Sequence, residues 1–129
     1  MAAKPHMSIY PVGNEPLVFE VPQRIDAMLA ELPEGGRKAL TLAKDGPLSV
    51  VLLVMDKANE VAEHAVAGPT TVQLLRGRAT LKVSGSPVHM TEGMVVVFPP
   101  DASHSVRAHE RSALLVTVAS AGAVHPEEQ

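Results

Sequence analysis

The sequence predicts an all-β fold, an antiparallel sheet that is closed or sandwiched, with one short helix before it. From Lys38 onward, short runs rich in β-branched residues recur between turn signals, a pattern typical of sandwiches and barrels. The run Val50–Met55 is continuously apolar, so we expect a central strand that is covered on both faces. The apolar run that begins after Gly93 ends at Pro99-Pro100, because proline is poorly tolerated inside a central strand.

The elements follow from the same signals in chain order. Residues 1–16 are rich in proline and glycine and are predicted to be an irregular lead-in, with an edge strand at 8–12. A helix is expected at 22–32, because Ile25, Met28, Leu29 and Leu32 form an apolar stripe at helical spacing. One domain is expected over 17–121, followed by a flexible tail at 122–129. Strands are predicted at 38–43, 48–55, 60–66, 70–76, 79–84, 87–90, 94–99, 103–109 and 112–119.

Composition excludes several classes of function. The chain has 129 residues, a formal charge of −3 and no cysteine, so disulfides, thiolate metal sites and cysteine nucleophiles are excluded. The mild acidity and the presence of only one Tyr and two Phe give no basis for binding nucleic acid. No run approaches the length of a membrane span, and the N-terminus lacks the apolar core of a signal peptide. We therefore expect no membrane partner and a cytoplasmic location.

The stretch from Gly93 to His104 carries a family resemblance. Its spacing, Gly-x5-Pro-x-Asp-x2-His, resembles the second signature of the cupin superfamily, Gly-x5-Pro-x-Gly-x2-His-x3-Asn. Pro99 and His104 fall on signature positions, whereas Asp101 stands where the second Gly usually is and Ala108 where the Asn would be. The resemblance implies a cupin-type antiparallel β-barrel, also called a double-stranded β-helix or jelly roll.

The first cupin signature, Gly-x5-His-x-His-x3,4-Glu-x6-Gly, is similar to a segment that ends at Gly77. That segment keeps the spacing and has His64 at the first His position, but Val66 takes the second His position and Thr70 takes the Glu position. Ala58 replaces the leading Gly. Cupins hold iron, manganese, zinc, nickel or copper with three His and one Glu, or with a fourth His. The resemblance therefore implies an incomplete metal site with His64 and His104 as its candidate ligands.

Other side chains are weighed as a third metal ligand. Glu60 shares the strand parity of His64 and is the better carboxylate candidate, whereas Gln73 points outward unless a bulge intervenes. Each histidine also has a purely structural interpretation: His64 as a hydrogen-bonded polar residue in a pocket, and His104 as a stabiliser of its turn. His89 and His109 are expected on the exterior. Arg76 and Arg78 flank Gly77, where an anion-binding pair is one interpretation, but a solvated turn is favoured.

The residues of inward parity are predicted to line an apolar cavity with two imidazoles and one hydroxyl. Such a lining suits a small, mostly apolar ligand that one or two hydrogen bonds orient. No Arg or Lys lies among these residues, which argues against strongly anionic substrates. The predicted ligand pocket consists of Ala62, His64, Val66, Thr70, Val72, Leu74, His104 and Val106, with Ala108 beyond them.

Three functions stay open at this point. The first is a binding module or sensor for a small organic molecule, with a degenerate metal site. The second is a metal-dependent enzyme of dioxygenase or isomerase type, in which His64 and His104 bind iron, manganese, zinc or nickel and no catalytic residue is assigned. The third is a structural or assembly role with a filled core. The sequence favours the first, and small cupins commonly pair through exposed edges, so we expect a homodimer.

Overall fold

The fold is described over residues 11–120 by a computed structural model. Within these residues one helix precedes nine strands, and the nine strands predicted between 38 and 119 are all present with boundaries within two residues of those expected. The elements are α1 (Val21–Ala30), β1 (Arg37–Asp45), β2 (Leu48–Met55), β3 (Glu60–His64), β4 (Thr70–Arg76), β5 (Ala79–Val83), β6 (Ser86–Met90), β7 (Val95–Phe98), β8 (His104–Ala108) and β9 (Ser112–Ala119).

The strands form two antiparallel sheets. One has the order β1-β2-β9-β4-β7 and the other the order β3-β8-β5-β6. Strands that are distant in sequence are paired in both sheets, and the chain crosses from one sheet to the other several times between β2 and β9. The all-β prediction and the cupin-type architecture are therefore confirmed.

The two sheets enclose a core of aliphatic side chains, which we call the interior cluster. Residues of the strands from β2 to β9 point into it from alternate positions, as the period of a half-buried strand requires. The strand predicted to be central, β2, contributes Met55 to the interior cluster and Leu52 and Val54 to the layer under the helix. The buried members of the interior cluster are Met55, Val72, Leu74, Ala79, Leu81, Met90, Phe98, Val106, Ala108 and Leu114.

The helix α1 covers the outer face of the five-stranded sheet. Ile25, Met28 and Leu32 pack on Leu52 and Val54 of β2, so the predicted apolar stripe is used for packing. The helix ends at Ala30, two residues earlier than predicted, with Pro33 three positions beyond its end. Proline disfavours helical geometry in the residue before it, which accounts for the early end.

Within residues 11–120 the structure contains no helix with the length and apolarity needed to cross a membrane. The first ten residues, including most of the edge strand predicted at 8–12, lie outside the described residues, as does the tail predicted at 122–129.

Candidate functional site

Strands β3 and β8 place His64 and His104 directly opposite each other. Val61 pairs with Val106, and after a register shift His64 pairs with His104. Two residues of β3, Ala62 and Glu63, therefore face a single residue of β8, which is the arrangement of a β-bulge. Because of this bulge, His64 returns to the side of the sheet that Val61 and Val106 share.

The two imidazoles lie at the point where the barrel interior meets solvent. Their ring centroids are 4.2 Å apart with an interplanar angle of 55°. The ring of Phe98 lies 4.7 Å from that of His104 on its other side. His104 is buried, with 8% of its surface exposed, whereas His64 is exposed. We call the region formed by His64, Thr70, Phe98 and His104 the barrel mouth.

Backbone carbonyls fix the protonation of both rings. Nδ1 of His64 lies 3.0 Å from the carbonyl oxygen of Ala62, and Nδ1 of His104 lies 3.2 Å from that of Ala102. A carbonyl oxygen only accepts hydrogen bonds, so each Nδ1 must carry the proton and donate it. In the neutral ring Nε2 is then a bare acceptor, and neither Nε2 has a hydrogen-bond partner within residues 11–120.

Thr70 and Val66, which take the other two ligand positions of the first signature, have their polar groups engaged within the fold. The hydroxyl of Thr70, which is 1% exposed, donates to the carbonyl oxygen of Gly68 at 3.1 Å. Val66 is half-buried, and its carbonyl accepts the backbone N–H of Asp101 at 2.8 Å. The mouth therefore presents two ring nitrogens beside an aromatic ring and aliphatic side chains.

Deeper residues of the predicted pocket are packed rather than open. Val72 and Leu74 are 4% and 0% exposed, and both belong to the interior cluster together with Val106 and Ala108. A ligand at His64 and His104 would consequently rest on a filled core and occupy a shallow position.

Because of the bulge, the first residues of β3 lie on the opposite faces of the sheet from those that the sequence predicts. Val61, not Ala62, packs against the interior cluster, and Ala62 is exposed. Glu60 pairs with Arg107, and its carboxylate lies 3.5 Å from that guanidinium at an exposed position. In a strictly alternating strand Glu60 would lie on the same face of the sheet as His64. The extra residue of the bulge places Glu60 on the opposite face.

The residues present do not fit the metal set of the cupin signatures. Two imidazole nitrogens are available, but no carboxylate accompanies them, since Glu60 is engaged on the outside and Gln73 pairs with Val95 and Leu115 in the other sheet. Over residues 11–120, no group of three or more His, Cys, Asp or Glu side chains is arranged to hold a metal ion. Stable transition-metal sites in proteins generally use at least three such ligands.

Two features of the molecule are not predicted from the sequence. Phe98 is predicted only as part of a strand, but its position opposite Thr70 in β4 and β7 brings it beside His104. A second cluster lies on the outer side of β5 and β6, where Thr80 pairs with His89. The hairpin signal Ser84-Gly85 in the sequence would have placed these two residues opposite each other.

The two arginines that flank Gly77 turn to different partners. Arg76 lies 2.7 Å from Asp26 of α1, and Arg78 lies 3.2 Å from Glu110. They therefore do not act together on one anion.

The chain matches no family model and no curated protein. Solved structures are similar in fold over most of its length. A conserved protein of unknown function from Streptococcus pyogenes superposes with a TM-score of 0.69 at 21% identity, covering 89% of this chain and 96% of that chain. A cupin superfamily protein from Desulfitobacterium hafniense gives a TM-score of 0.68 at 18% identity, covering 88% and 96%.

A larger enzyme is similar as well. Salicylate 1,2-dioxygenase from Pseudoaminobacter salicylatoxidans, in a structure of its adducts with gentisate, superposes with a TM-score of 0.67 at 17% identity. The match covers 75% of this chain but only 31% of the dioxygenase chain. At these identities the likeness concerns the fold alone.

Proposed function

This chain has the cupin fold, and from that premise we propose that it binds a small organic molecule at the barrel mouth. The observation that carries the proposal is the convergence of two imidazoles, 4.2 Å apart, whose Nδ1 atoms are both held by backbone carbonyls. Each ring then offers a bare Nε2. Buried polar atoms usually have a hydrogen-bond partner, and His104 is only 8% exposed.

The geometry indicates the chemical class of the ligand. Two acceptors call for a ligand that donates, such as a hydroxyl group. The Phe98 ring beside His104 favours a flat apolar body, since aromatic rings pack well in offset or tilted arrangements. The packed layer beneath, with Leu74 fully buried, limits the depth of the site. The proposed ligand is a small, mostly apolar molecule with a hydroxyl donor, for which phenol is a suitable probe.

A titration with phenol and anisole tests this proposal. The two probes have the same ring, but anisole has no hydroxyl proton to donate. We expect phenol to shift the NMR signals of His64 and His104 saturably, and anisole to bind about tenfold more weakly because one hydrogen bond is lost. Equal affinities for the two probes, or no saturable shift with phenol, would contradict the proposal.

Substitutions locate the binding. His64→Ala and His104→Ala should each weaken phenol binding about tenfold, since one ring accepts the single hydroxyl proton and the other packs against the ligand. Lys82→Ala is the matched control, because Lys82 is exposed on β5 next to the residue that pairs with His104, and it should leave the phenol titration unchanged. A loss in the control variant equal to that in the histidine variants would show that phenol binds elsewhere.

The metal-dependent enzyme remains the second proposal. It is favoured by the Nδ1-protonated rings, because a metal-binding imidazole usually donates its other nitrogen to a carbonyl or carboxylate. It is disfavoured by the missing carboxylate. Metal analysis of the purified protein decides between the two: near-stoichiometric iron, manganese, zinc or nickel that is lost in both His64→Ala and His104→Ala would favour the enzyme.

The homodimer and the cytoplasmic location stay predictions. Val95 and Val97 are the exposed apolar residues on β7, an edge strand of the five-stranded sheet, with 51% and 69% of their surfaces exposed. Sedimentation of the native chain and of Val97→Lys at micromolar concentration tests whether copies associate through this edge.

A further inference from the structure

A cleft of about 250 Å³ lies at the far end of β5 from the barrel mouth. Ala79, at its wall, pairs with Ala108, whereas Val83 at the other end of β5 pairs with His104. Four residues of extended chain separate the two places by about 13 Å. The cleft is therefore distinct from the barrel mouth. It is lined by Arg78, Ala79, His89, Met90, Thr91 and His109.

One hydroxyl joins the two histidines of this cleft. Thr80 Oγ1 lies 3.1 Å from Nδ1 of His89 and 2.6 Å from Nε2 of His109. A threonine hydroxyl has one proton and two acceptor lone pairs, so it can donate to one ring nitrogen while it accepts from the other. In that arrangement, which uses the hydroxyl proton within the cluster, one ring carries its proton on the nitrogen that contacts Thr80, and the other ring does not.

The direction of these hydrogen bonds determines whether the two ring nitrogens that do not contact Thr80, which we call the outer nitrogens, donate or accept hydrogen bonds. Neither Nε2 of His89 nor Nδ1 of His109 has a hydrogen-bond partner in the part of the chain that the structure describes. When both rings are neutral, each carries one proton, so in this arrangement one outer nitrogen bears a proton and the other is bare. The pair then presents one donor and one acceptor, whichever of the two rings receives the Thr80 proton.

Arg78 adds a positive charge to the same cleft. Its side chain is 60% exposed, and its Nε donates to Glu110 at 3.2 Å. A guanidinium has five N–H donors, so the remaining donors are free for a second anionic partner. The other nearby carboxylate, that of Glu92, accepts the backbone N–H of Gly77 at 2.9 Å.

We propose that this cleft binds a small 2-hydroxycarboxylate. The carboxylate would accept hydrogen bonds from Arg78 and from the protonated outer nitrogen of the histidine pair. The ligand hydroxyl would donate to the bare outer nitrogen. Charge, donor and acceptor are thus matched one to one, and the binding involves no residue of the barrel mouth.

Three probes that differ by one group each test the proposal. Lactate has the carboxylate and the hydroxyl, propionate lacks the hydroxyl, and lactamide lacks the charge. With the full chain in mildly alkaline buffer, we expect lactate to shift the ring signals of His89 and His109 saturably and to leave those of His64 and His104 in place. Propionate and lactamide should each bind about tenfold more weakly, since each loses one interaction.

Two variants examine the assignment of roles. Thr80→Val keeps a β-branched side chain but removes the shared hydroxyl, and ¹⁵N spectra of the imidazoles should then show that the protonation sites of the two rings are no longer linked. Arg78→Gln should weaken lactate binding about tenfold, whereas Lys82→Gln, on the same outer side of β5, should not change it.

Several results would overturn the proposal. They are the absence of a saturable shift with lactate, equal binding of lactate and propionate, unchanged lactate binding in Arg78→Gln, and lactate shifts confined to the barrel mouth. The comparison among the three probes uses the native chain, so it decides the question even where a variant fails to fold. Phenol binding at the mouth and lactate binding at the cleft are read from different histidines, so either can fail alone.

Discussion

Polar groups at the barrel mouth differ in their hydrogen bonding from those at the opposite end of the barrel, where β2 ends at Met55. We call this opposite end the closed end. At that closed end, Asp56 accepts the backbone N–H of Gly35 at 2.6 Å, and Ser112, fully buried, lies 2.7 Å from the carbonyl of Glu110. At the mouth, by contrast, Nε2 of His64 and of His104 have no partner within residues 11–120.

This difference indicates what each end does. Polar side chains that hold backbone groups close the ends of strands and loops, and their value is stability. Ring nitrogens whose protonation is fixed and whose second nitrogen is unpaired add little to stability, so their placement is better explained by binding. We therefore expect substitutions of the groups that hold the backbone at the closed end to change the free energy of unfolding, and substitutions of the mouth nitrogens to change phenol affinity.

The largest effect is expected for Gly77→Ala, in the turn between β4 and β5 at the closed end. Gly77 has a positive φ of 95°, and an added Cβ would overlap Ser112 and the carbonyl oxygen of Arg111. Backbone must move to relieve this overlap, so the free energy of unfolding should fall by about 3 kcal/mol or more. Chemical denaturation measures the change.

Gly85→Ala is the control for backbone conformation alone. Gly85 has a φ of 85°, but an added Cβ would meet nothing within 4 Å. The free energy of unfolding should fall by only about 1 kcal/mol, the cost of the left-handed region for a residue with a Cβ. Equal losses in the two variants would mean that the close approach of Gly77 to β9 does not matter.

The next effect separates the two histidines of the mouth. His104→Ala should lower the free energy of unfolding by about 1–3 kcal/mol, because it removes a buried ring that packs between Phe98 and His64. His64→Ala should change it by less than about 0.5 kcal/mol, since His64 is exposed. Both variants should bind phenol about tenfold more weakly, so affinity and stability would both fall in His104→Ala, whereas only affinity would fall in His64→Ala.

A smaller, pH-dependent effect is expected at Asp56 of the closed end. Hydrogen bonds from the backbone N–H groups of Gly35 and Lys57 lower the pKa of this carboxyl below its ordinary 3.8, and Arg111 adds to the effect. A carboxyl whose pKa is lower in the folded state stabilises the fold above the unfolded pKa, and this contribution is lost as pH falls through the folded pKa.

Asp56→Asn should therefore be less stable than the native chain at neutral pH. The difference should shrink as the pH is lowered below 3.8, where Asp56 of the native chain takes up its proton. Denaturation curves of the two proteins at several pH values measure this. A difference that stays constant with pH would show that the charge of Asp56 contributes nothing.

Local chemistry in the sequence was sufficient for the strands and the helix. Valine-rich runs, prolines and glycines mark each element, and β2 and β9 begin and end where these signals place them. The spacing of the two signatures also placed His64 and His104 together, because residues in the same register of paired strands must meet.

The face of Ala62 and the cluster around Thr80 depend on contacts between distant segments. Alternation predicts sides only in a regular strand, and the bulge before His64 is set by how β3 pairs with β8. His109 lies one residue beyond β8, and it reaches Thr80 because its backbone N–H bonds to the carbonyl of Arg78. No pattern within β5 or β8 alone contains that contact.

The smallest effect concerns the two signature positions where glycine has been replaced. Ala58 and Asp101 both have positive φ values, 71° and 66°, so the chain keeps the left-handed backbone that the signature glycines supply. A left-handed alanine is strained, whereas aspartate tolerates this region better. Ala58→Gly should therefore raise the free energy of unfolding by about 0.5–1 kcal/mol, after allowance for the greater freedom of glycine in the unfolded chain.

Asp101→Gly should change the free energy of unfolding by less than about 0.5 kcal/mol, because the strain it relieves is smaller. The contrast tests whether the two signature turns differ in strain as their residues suggest. Asp101 lies three positions before His104 and Ala58 six before His64, so phenol titrations of the same variants show whether either turn also positions its histidine. Unchanged affinity with a more stable Ala58→Gly would mean that strain at Ala58 is not needed for binding at the mouth.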